Sequence, residues 1–399
     1  MTAAAPDVDR PPTDTTRVFR AVFAVALLAI EFGYLLYYRA LDTRDGGAAY
    51  QTADWLISYA DGFVRRGLFG EVFLALAPSG SAGLWALFAV QGLLYAVVFG
   101  FAVWALARAR FSWPMIALVC GPAALGFFAW DPAAAFRKEV LAYVSLSLVV
   151  WALVAVRRRL IAVVLTVLSL LVFALAVFSW ETSALFLPAF LYLLVRRGDD
   201  LGLSLLFRRV LAGAFLLVGG TGLALGTLFH GSVATAQAIC DVVREHGFTR
   251  ADLCSGAIDA IGWTSQYTLD SVTASFPLYV GYLPLALLAI IPVLTTPWIR
   301  RNWGWALLIA LAFLPLFVIV TDYGRWINMI VMALVFCIAA GPIQNTFSRA
   351  WTWLTVILYT TLWGLPHWLP ADFAQPWPWL GLAKVIGSTL IDTVARFVG

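Results

Sequence analysis

Residues 18–38 read VFRAVFAVALLAIEFGYLLYY, a run in which Arg20 and Glu31 carry the only charges. An α-helix needs roughly 17 to 25 apolar residues to cross the hydrocarbon core of a bilayer, so this stretch predicts a membrane span. Comparable runs begin near Ala82, Trp113, Val140, Ile161, Ala184, Val210, Phe276, Trp305, Ile327 and Trp351. The expectation is an all-α, polytopic integral membrane protein with about eleven transmembrane helices. Composition agrees: 62% of the 399 residues are hydrophobic and 12% charged, against roughly a quarter charged in soluble globules. Residues 1–17 read as an uncleaved cytoplasmic tail, 18–370 as the transmembrane domain and 371–399 as an amphipathic segment on the membrane surface.

The arginines give the chain a direction. Arg10, Arg17 and Arg20, then Arg108 and Arg110, Arg157 to Arg159, Arg196 and Arg197 with Arg208 and Arg209, Arg300 and Arg301, and Arg349 fall on alternate loops. By the positive-inside rule those loops are cytoplasmic. Arginine far outnumbers lysine, as in a GC-rich bacterial coding sequence, which points to a bacterial cytoplasmic membrane. The net charge of +4 follows from this anchoring and carries no implication of nucleic acid.

The opposite loops should be poor in cations and are not. They hold Asp61 with Arg65 and Arg66, Asp131 with Arg137, Lys138 and Glu139, Glu181 in Ser179-Trp180-Glu181-Thr182, and Asp322 with Arg325 in Asp322-Tyr323-Gly324-Arg325-Trp326. Ionisable groups at a membrane boundary cost a few kcal/mol each unless they reach water or partners, so the predicted arrangement is one polar cavity at the outer face. Local readings stand beside it: Arg65 and Arg66 also suit headgroup anchoring, and Arg325 suits an ion pair with Asp322 three residues away.

The first outer loop, 39–81, is more than a connection. Ala48 to Ala60 reads as one short amphipathic helix and Leu68 to Leu76 as a second, ended by Pro78-Ser79-Gly80. Both are too short to span and are expected along the outer interface. The loop's acids are Asp42, Asp45, Asp54, Asp61 and Glu71.

This layout resembles the polytopic glycosyltransferases of the GT-C class. The resemblance rests on the first span, the loop from Asp42 to Pro78 and the helix count. It implies sugar transfer from a polyprenyl-phosphate donor on the outer side of the membrane, with two juxtamembrane helices and an acidic catalytic residue in the first outer loop, and basic residues of later loops on the donor phosphate. The first outer loop has no contiguous Asp-Asp or Glu-x-Asp pair, and Asp54 and Asp61 are the nearest matches by position.

The chemistry needs a carboxylate as general base for the acceptor hydroxyl and fixed cations for the departing phosphate. Asp61 or Asp54 fits the first demand, with Glu181 as an alternative base or acceptor-orienting group. Arg65, Arg66, Arg137, Lys138 and Arg325 fit the second. Asp322 is an orienting candidate, and Trp55, Trp180 and Trp326 are candidate sugar-stacking platforms. Nearby carboxylates also suit an oxocarbenium-like transition state. No cofactor is demanded; a divalent cation stays open. The expected partners are a polyprenyl-phosphate-linked sugar, a glycan, lipid or protein acceptor, and membrane lipids.

A second outer segment, 230–275, carries Cys240 and Cys254, which predict a disulfide closing a loop of about fifteen residues and worth about 3 kcal/mol. His230 and His246 complete no metal-ligand spacing. Cys120 and Cys337 read as core, Glu31 as an intramembrane acid facing a cavity or a neighbouring helix, and Gly222 and Gly226 as a helix-packing stripe. Two further classes remain open. An enzyme resembling the O-antigen polymerases and ligases would act on a pyrophosphate-linked oligosaccharide. A secondary transporter would show broken helices and midplane charges. No P-loop or strand-associated GxGxxG supports nucleotide-driven work.

Overall fold

The computed structural model describes residues 14–198, 204–341 and 351–368, with residues 381, 382, 387 and 391. The start of the expected tail and nearly all of the expected amphipathic segment 371–399 lie outside the described residues. The chain forms helices α1 (Asp14–Arg44), α2 (Ala53–Leu56), α3 (Leu68–Leu76), α4 (Gly80–Arg108), α5 (Trp113–Val119), α6 (Leu125–Trp130), α7 (Glu139–Val154), α8 (Arg159–Ser179) and α9 (Leu187–Arg196). It continues with α10 (Leu205–Leu228), α11 (Val233–Glu245), α12 (Ser265–Leu294), α13 (Pro297–Arg301), α14 (Trp303–Phe313), α15 (Leu316–Ile319), α16 (Tyr323–Ala340) and α17 (Trp353–Thr361). No β-strand forms among the described residues.

Among the described residues five helices, α1, α4, α8, α10 and α16, are long and apolar enough to cross a membrane. Their outward faces are apolar as well: Val22, Leu93, Leu171 and Leu217 are exposed. A continuous apolar exterior of this kind is unfavourable in water and suits a lipid surroundings.

Several other expected spans are shorter or broken. The run from Trp113 splits into α5 and α6 around Gly121-Pro122, because proline has no N–H to continue the ladder. The free carbonyls at this break are capped by Asn328, whose Nδ2 donates to Ala123 O at 3.1 Å and Ala124 O at 2.9 Å. Buried irregular backbone must be satisfied in this way. The run from Trp305 breaks again at Leu314-Pro315 between α14 and α15. Near Ala184 the chain first winds as a tight 3-10 helix, Glu181–Phe186, before α9.

The core is a bundle in which α7 packs on α8, α4 and α16, while α10 packs on α8 and α9. Ser145 and Ser169 lock α7 to α8 by donating to each other's carbonyl oxygens at 2.8 Å. Tyr143 of α7 donates to Asn328 Oδ1 of α16 at 3.0 Å. Cys120 and Cys337 are buried free thiols. Glu31 is fully buried, and neither carboxyl oxygen has a hydrogen-bond partner among the described residues.

The bundle has two chemically distinct ends. At one, Phe19 packs on Trp113, and Arg108 at the end of α4 donates to Ala339 O at the end of α16. At the other lie the starts of α7 and α16, the end of α8 and the loop after α1. Arg20 and Arg108, two of the arginines read as lying on alternate loops, belong to the first of these ends; Arg10 and Arg349 lie outside the described residues.

The first outer loop differs from expectation in one half. Leu68 to Leu76 is helical over the expected bounds. Of Ala48 to Ala60, however, only Ala53–Leu56 is α-helical, and those four residues are buried inside the protein. Tertiary contacts overrule the amphipathic pattern here. Thr52 accepts from Arg39 Nη2 at 2.8 Å, and Trp55 Nε1 donates to Phe136 O at 2.6 Å.

Cys240 and Cys254 form a disulfide. It pins α11 to the Ala251–Cys254 turn, and the segment is clamped onto the first outer loop. Arg250 donates to Gly47 O, Ala257 N to Ala49 O at 2.9 Å, and Arg65 N to Phe229 O at 2.8 Å.

Candidate functional site

The site assembles where four chain segments end. Arg65 and Arg66 arrive from the turn before α3, Arg137 and Lys138 from the turn before α7, Glu181 from the end of α8, and Asp322 and Arg325 from the start of α16. Two of these turns carry backbone strain. Arg66 has φ +73° and Phe136 φ +58°, a left-handed conformation that costs a side-chain-bearing residue about 1–3 kcal/mol. Both are held by hydrogen bonds. Lys138 Nζ donates to Arg66 O at 2.8 Å. Phe136 N donates to Tyr95 Oη at 2.8 Å, and Phe136 O accepts from Trp55 Nε1 at 2.6 Å. Strain maintained on both sides of a cationic cluster is a feature of functional sites.

Five ion-pair contacts organise the cluster among the described residues. Arg66 reaches Glu181, Nη2 to Oε1 at 3.2 Å, and Arg65 stands 3.6 Å from the same oxygen. Burial acts to raise the Glu181 carboxyl, but Arg66 and Arg65 outweigh it and hold the group below its ordinary range. Burial, with Arg66 beside it, pulls Arg65 down to about 10. Arg325 grips Glu139 bidentately, Nε to Oε1 at 2.8 Å and Nη2 to Oε2 at 2.6 Å. Asp322, the expected local partner of Arg325, is a secondary contact at 3.5 Å. Lys138 Nζ lies 3.9 Å from Asp54 Oδ1. Burial pulls Lys138 down to about 8, with Asp54 opposing that shift.

Two groups, Arg137 and Asp54, are the least engaged by these contacts. Arg137 is 7% exposed and makes no ion pair or hydrogen bond among the described residues; its guanidinium lies 4.7 Å from the Tyr50 ring centre. Its Nε, like that of Arg65 and the indole Nε1 of Trp326, is a buried donor without a partner. Such donors are costly unless something accepts from them. Asp54 is 4% exposed, and its carboxylate accepts no hydrogen bond among the described residues.

The three carboxylates named as candidate bases therefore have different surroundings. Asp54 sits among the cations. Glu181 is closed by two arginines. Asp61 is exposed outside the cluster, where it accepts from Thr235 Oγ1 of the second outer segment at 3.1 Å.

The tryptophans separate in the same way. Trp180 and Trp326 stack with ring centres 6.4 Å apart, and the Arg325 guanidinium lies 4.7 Å and 5.4 Å from them. Trp55 is fully buried against Phe69 and has no open face for a sugar. Its role is to hold the Phe136 turn.

Sequence reasoning missed the Arg325–Glu139 pair and a second pair at the rim. Asp131 Oδ2 accepts from both the backbone N–H of His367 at 2.7 Å and its Nδ1 at 2.6 Å. No local spacing announces either, since the partners lie 186 and 236 residues apart. Among the described residues no three His, Cys, Asp or Glu side chains gather as metal ligands.

The glycine stripe of α10 is what lets Glu181 sit so close. A Cβ on Gly226 would fall 2.8 Å from Glu181 Cβ, and one on Gly222 would fall 1.9 Å from Val177 Cγ1. Overpacking of this kind costs about 1–3 kcal/mol. Gly226→Ala is accordingly expected to lower thermal stability and to displace Glu181 from Arg66. Gly220→Ala on the same helix, with nothing within 4 Å, should leave the melting temperature unchanged or raise it slightly, as alanine favours a helix over glycine. Equal effects of the two substitutions would contradict the packing argument.

No family model, curated protein or solved structure matches the chain.

Proposed function

We propose that this protein is a polytopic glycosyltransferase of GT-C type in a bacterial cytoplasmic membrane. It would have about eleven spans, counting the shorter and broken helices, and its site would face the periplasm or cell exterior. The donor is a polyprenyl-phosphate-linked sugar and the acceptor an envelope glycan, lipid or protein. The observation that carries the reading is the presence, in one cluster of helix ends, of a buried cation with no ion pair, Arg137, and a buried carboxylate that accepts no hydrogen bond, Asp54, among the described residues.

In this reading Arg137 and Lys138 hold the donor phosphate. Glu139 aims Arg325 at it, and Glu181 aims Arg66. Asp54 accepts the proton of the acceptor hydroxyl as oxygen attacks the anomeric carbon and the phosphate departs. Five cations, Arg65, Arg66, Arg137, Lys138 and Arg325, face four carboxylates, Asp54, Glu139, Glu181 and Asp322. An excess of one positive charge matches one phosphodiester better than a pyrophosphate. The second outer segment, clamped onto the first, favours the alternative of a polymerase or ligase acting on pyrophosphate-linked oligosaccharide, since it could seat a long chain.

Transfer of radiolabelled sugar by purified protein in nanodiscs, from a panel of polyprenyl-monophosphate and polyprenyl-pyrophosphate donors, tests the proposal. Turnover from a monophosphate donor is the expected result. Turnover from pyrophosphate-linked oligosaccharide alone would favour the alternative, and none from either class would reject both.

A further inference from the structure

We propose that His367, oriented by Asp131, is a proton-carrying ligand of the bound phosphate, so that donor binding is coupled to proton uptake. This rests on the phosphate reading above. The placement is set by backbone contacts. Gly324 N, next to Arg325, donates to His367 O at 3.2 Å, and Tyr282 Oη donates to the preceding Pro366 O at 2.8 Å. A Cβ on Gly324 would lie 2.0 Å from Pro366 O, so the segment around His367 is seated directly on the start of α16. Asp131, which fixes the ring, caps α6 and precedes the turn that delivers Arg137 and Lys138.

The Asp131 carboxylate engages Nδ1 and leaves Nε2 as the free end of the ring. Nε2 makes no hydrogen bond among the described residues, and the side chain is 19% exposed. A carboxylate on one ring nitrogen fixes the imidazole's orientation and favours its cationic form. Burial opposes protonation, but the charge and hydrogen bond of Asp131, aided by Asp322 and opposed by Arg137, raise the ring above its ordinary value. Those three are the charged groups that act most strongly on it among the described residues. The charge count gives the pair a purpose. With His367 neutral, Asp131 cancels the single positive excess of the cluster; with His367 protonated, the excess returns, and Nε2–H is a donor.

The sign follows from linkage. A phosphate that binds the protonated form better raises the ring's pKa further, so affinity is full at low pH and falls as pH rises through the raised histidine value. Lys138, pulled down to about 8, adds a later loss.

The experiment is calorimetric titration of full-length protein in nanodiscs with a short-chain prenyl methyl phosphodiester, whose single charge does not titrate in the range, between pH 5.5 and 8.5 in buffers of different ionisation enthalpy. Wild type is expected to take up protons on binding at pH 7. His367→Gln should lose that uptake and bind roughly tenfold more weakly at pH 6 while matching wild type at pH 8.5. His367→Arg, which carries a permanent charge, should restore affinity without proton uptake. Asp131→Asn should move the histidine step to lower pH. Undiminished proton uptake in His367→Gln, with wild-type melting temperature, would overturn the histidine's role alone. Absence of binding by wild type at every pH would overturn the phosphate site and the histidine's role with it.

Discussion

Glu139→Gln is expected to destabilise the protein by about 3–5 kcal/mol, because it strands the buried Arg325 guanidinium. Both members of the pair are buried, and two charge-assisted hydrogen bonds at 2.8 Å and 2.6 Å join α7 to α16. Truncating one partner costs far more than the net worth of the pair. Arg325→Met should therefore be comparably damaging. The double substitution Glu139→Leu with Arg325→Met should recover much of the loss, since an apolar pair leaves no orphaned charge. Thermal unfolding in detergent measures all three. The double variant also separates roles: it should fold and yet bind donor weakly, because Arg325 is one of the cations assigned to the phosphate. Independent, additive losses in the two single variants would contradict the coupling.

Asp54→Asn is expected to lower sugar transfer by about 10²–10⁴-fold, the range for removal of a general base. The change is nearly isosteric and deletes no hydrogen bond among the described residues, but it strips the buried Lys138 of its counter-charge, so the melting temperature should fall and turnover is compared where both proteins are folded. Lys138 loses a counter-charge at 3.9 Å and should titrate lower still. Asp61→Asn serves as the comparison. Among the described residues its carboxylate hydrogen-bonds Thr235 at the exposed rim, and turnover should stay within about threefold of wild type, as is usual for exposed substitutions. The reverse order, with Asp61→Asn inactive and Asp54→Asn normal, would move the base to the rim. Equal loss in both would imply that the two act on one proton path.

Much of this arrangement was readable before any coordinates. Ionisable residues near several helix ends pointed to Arg66, Lys138, Glu181 and Arg325 converging, because the cost of isolated charge at a membrane boundary is general. Leu68 to Leu76 was legible since its apolar run is bounded by a glycine and a proline-containing turn. The pairing of Cys240 with Cys254 followed from their shared segment.

What was not legible depends on contacts across the chain. Arg325 has Asp322 three residues away, and local spacing favours that pair; Glu139 wins through bidentate geometry available only once α7 and α16 pack. Asp131 and His367 are unremarkable in isolation. The segment 48–60 carries an amphipathic pattern, yet Thr52 and Trp55 are claimed by Arg39 and Phe136, leaving a single turn of helix. Pro122 and Pro315 were visible in sequence, but whether a proline kinks a span or ends it depends on what caps the freed carbonyls. At Pro122 that is Asn328, from more than two hundred residues further on.

The most direct test of the central claim, that these helix ends form one phosphate site, is the affinity of wild type and Arg137→Ala for a short-chain prenyl monophosphate in nanodiscs. Among the described residues Arg137 makes no ion pair or hydrogen bond and loses only its contact with the Tyr50 ring, so the substitution should leave the fold intact. The account predicts saturable one-to-one binding by wild type, weakened at least tenfold in Arg137→Ala, as expected for loss of a charged hydrogen bond to the ligand. Equal affinity of the two proteins, or binding that scales only with lipid area, would contradict it.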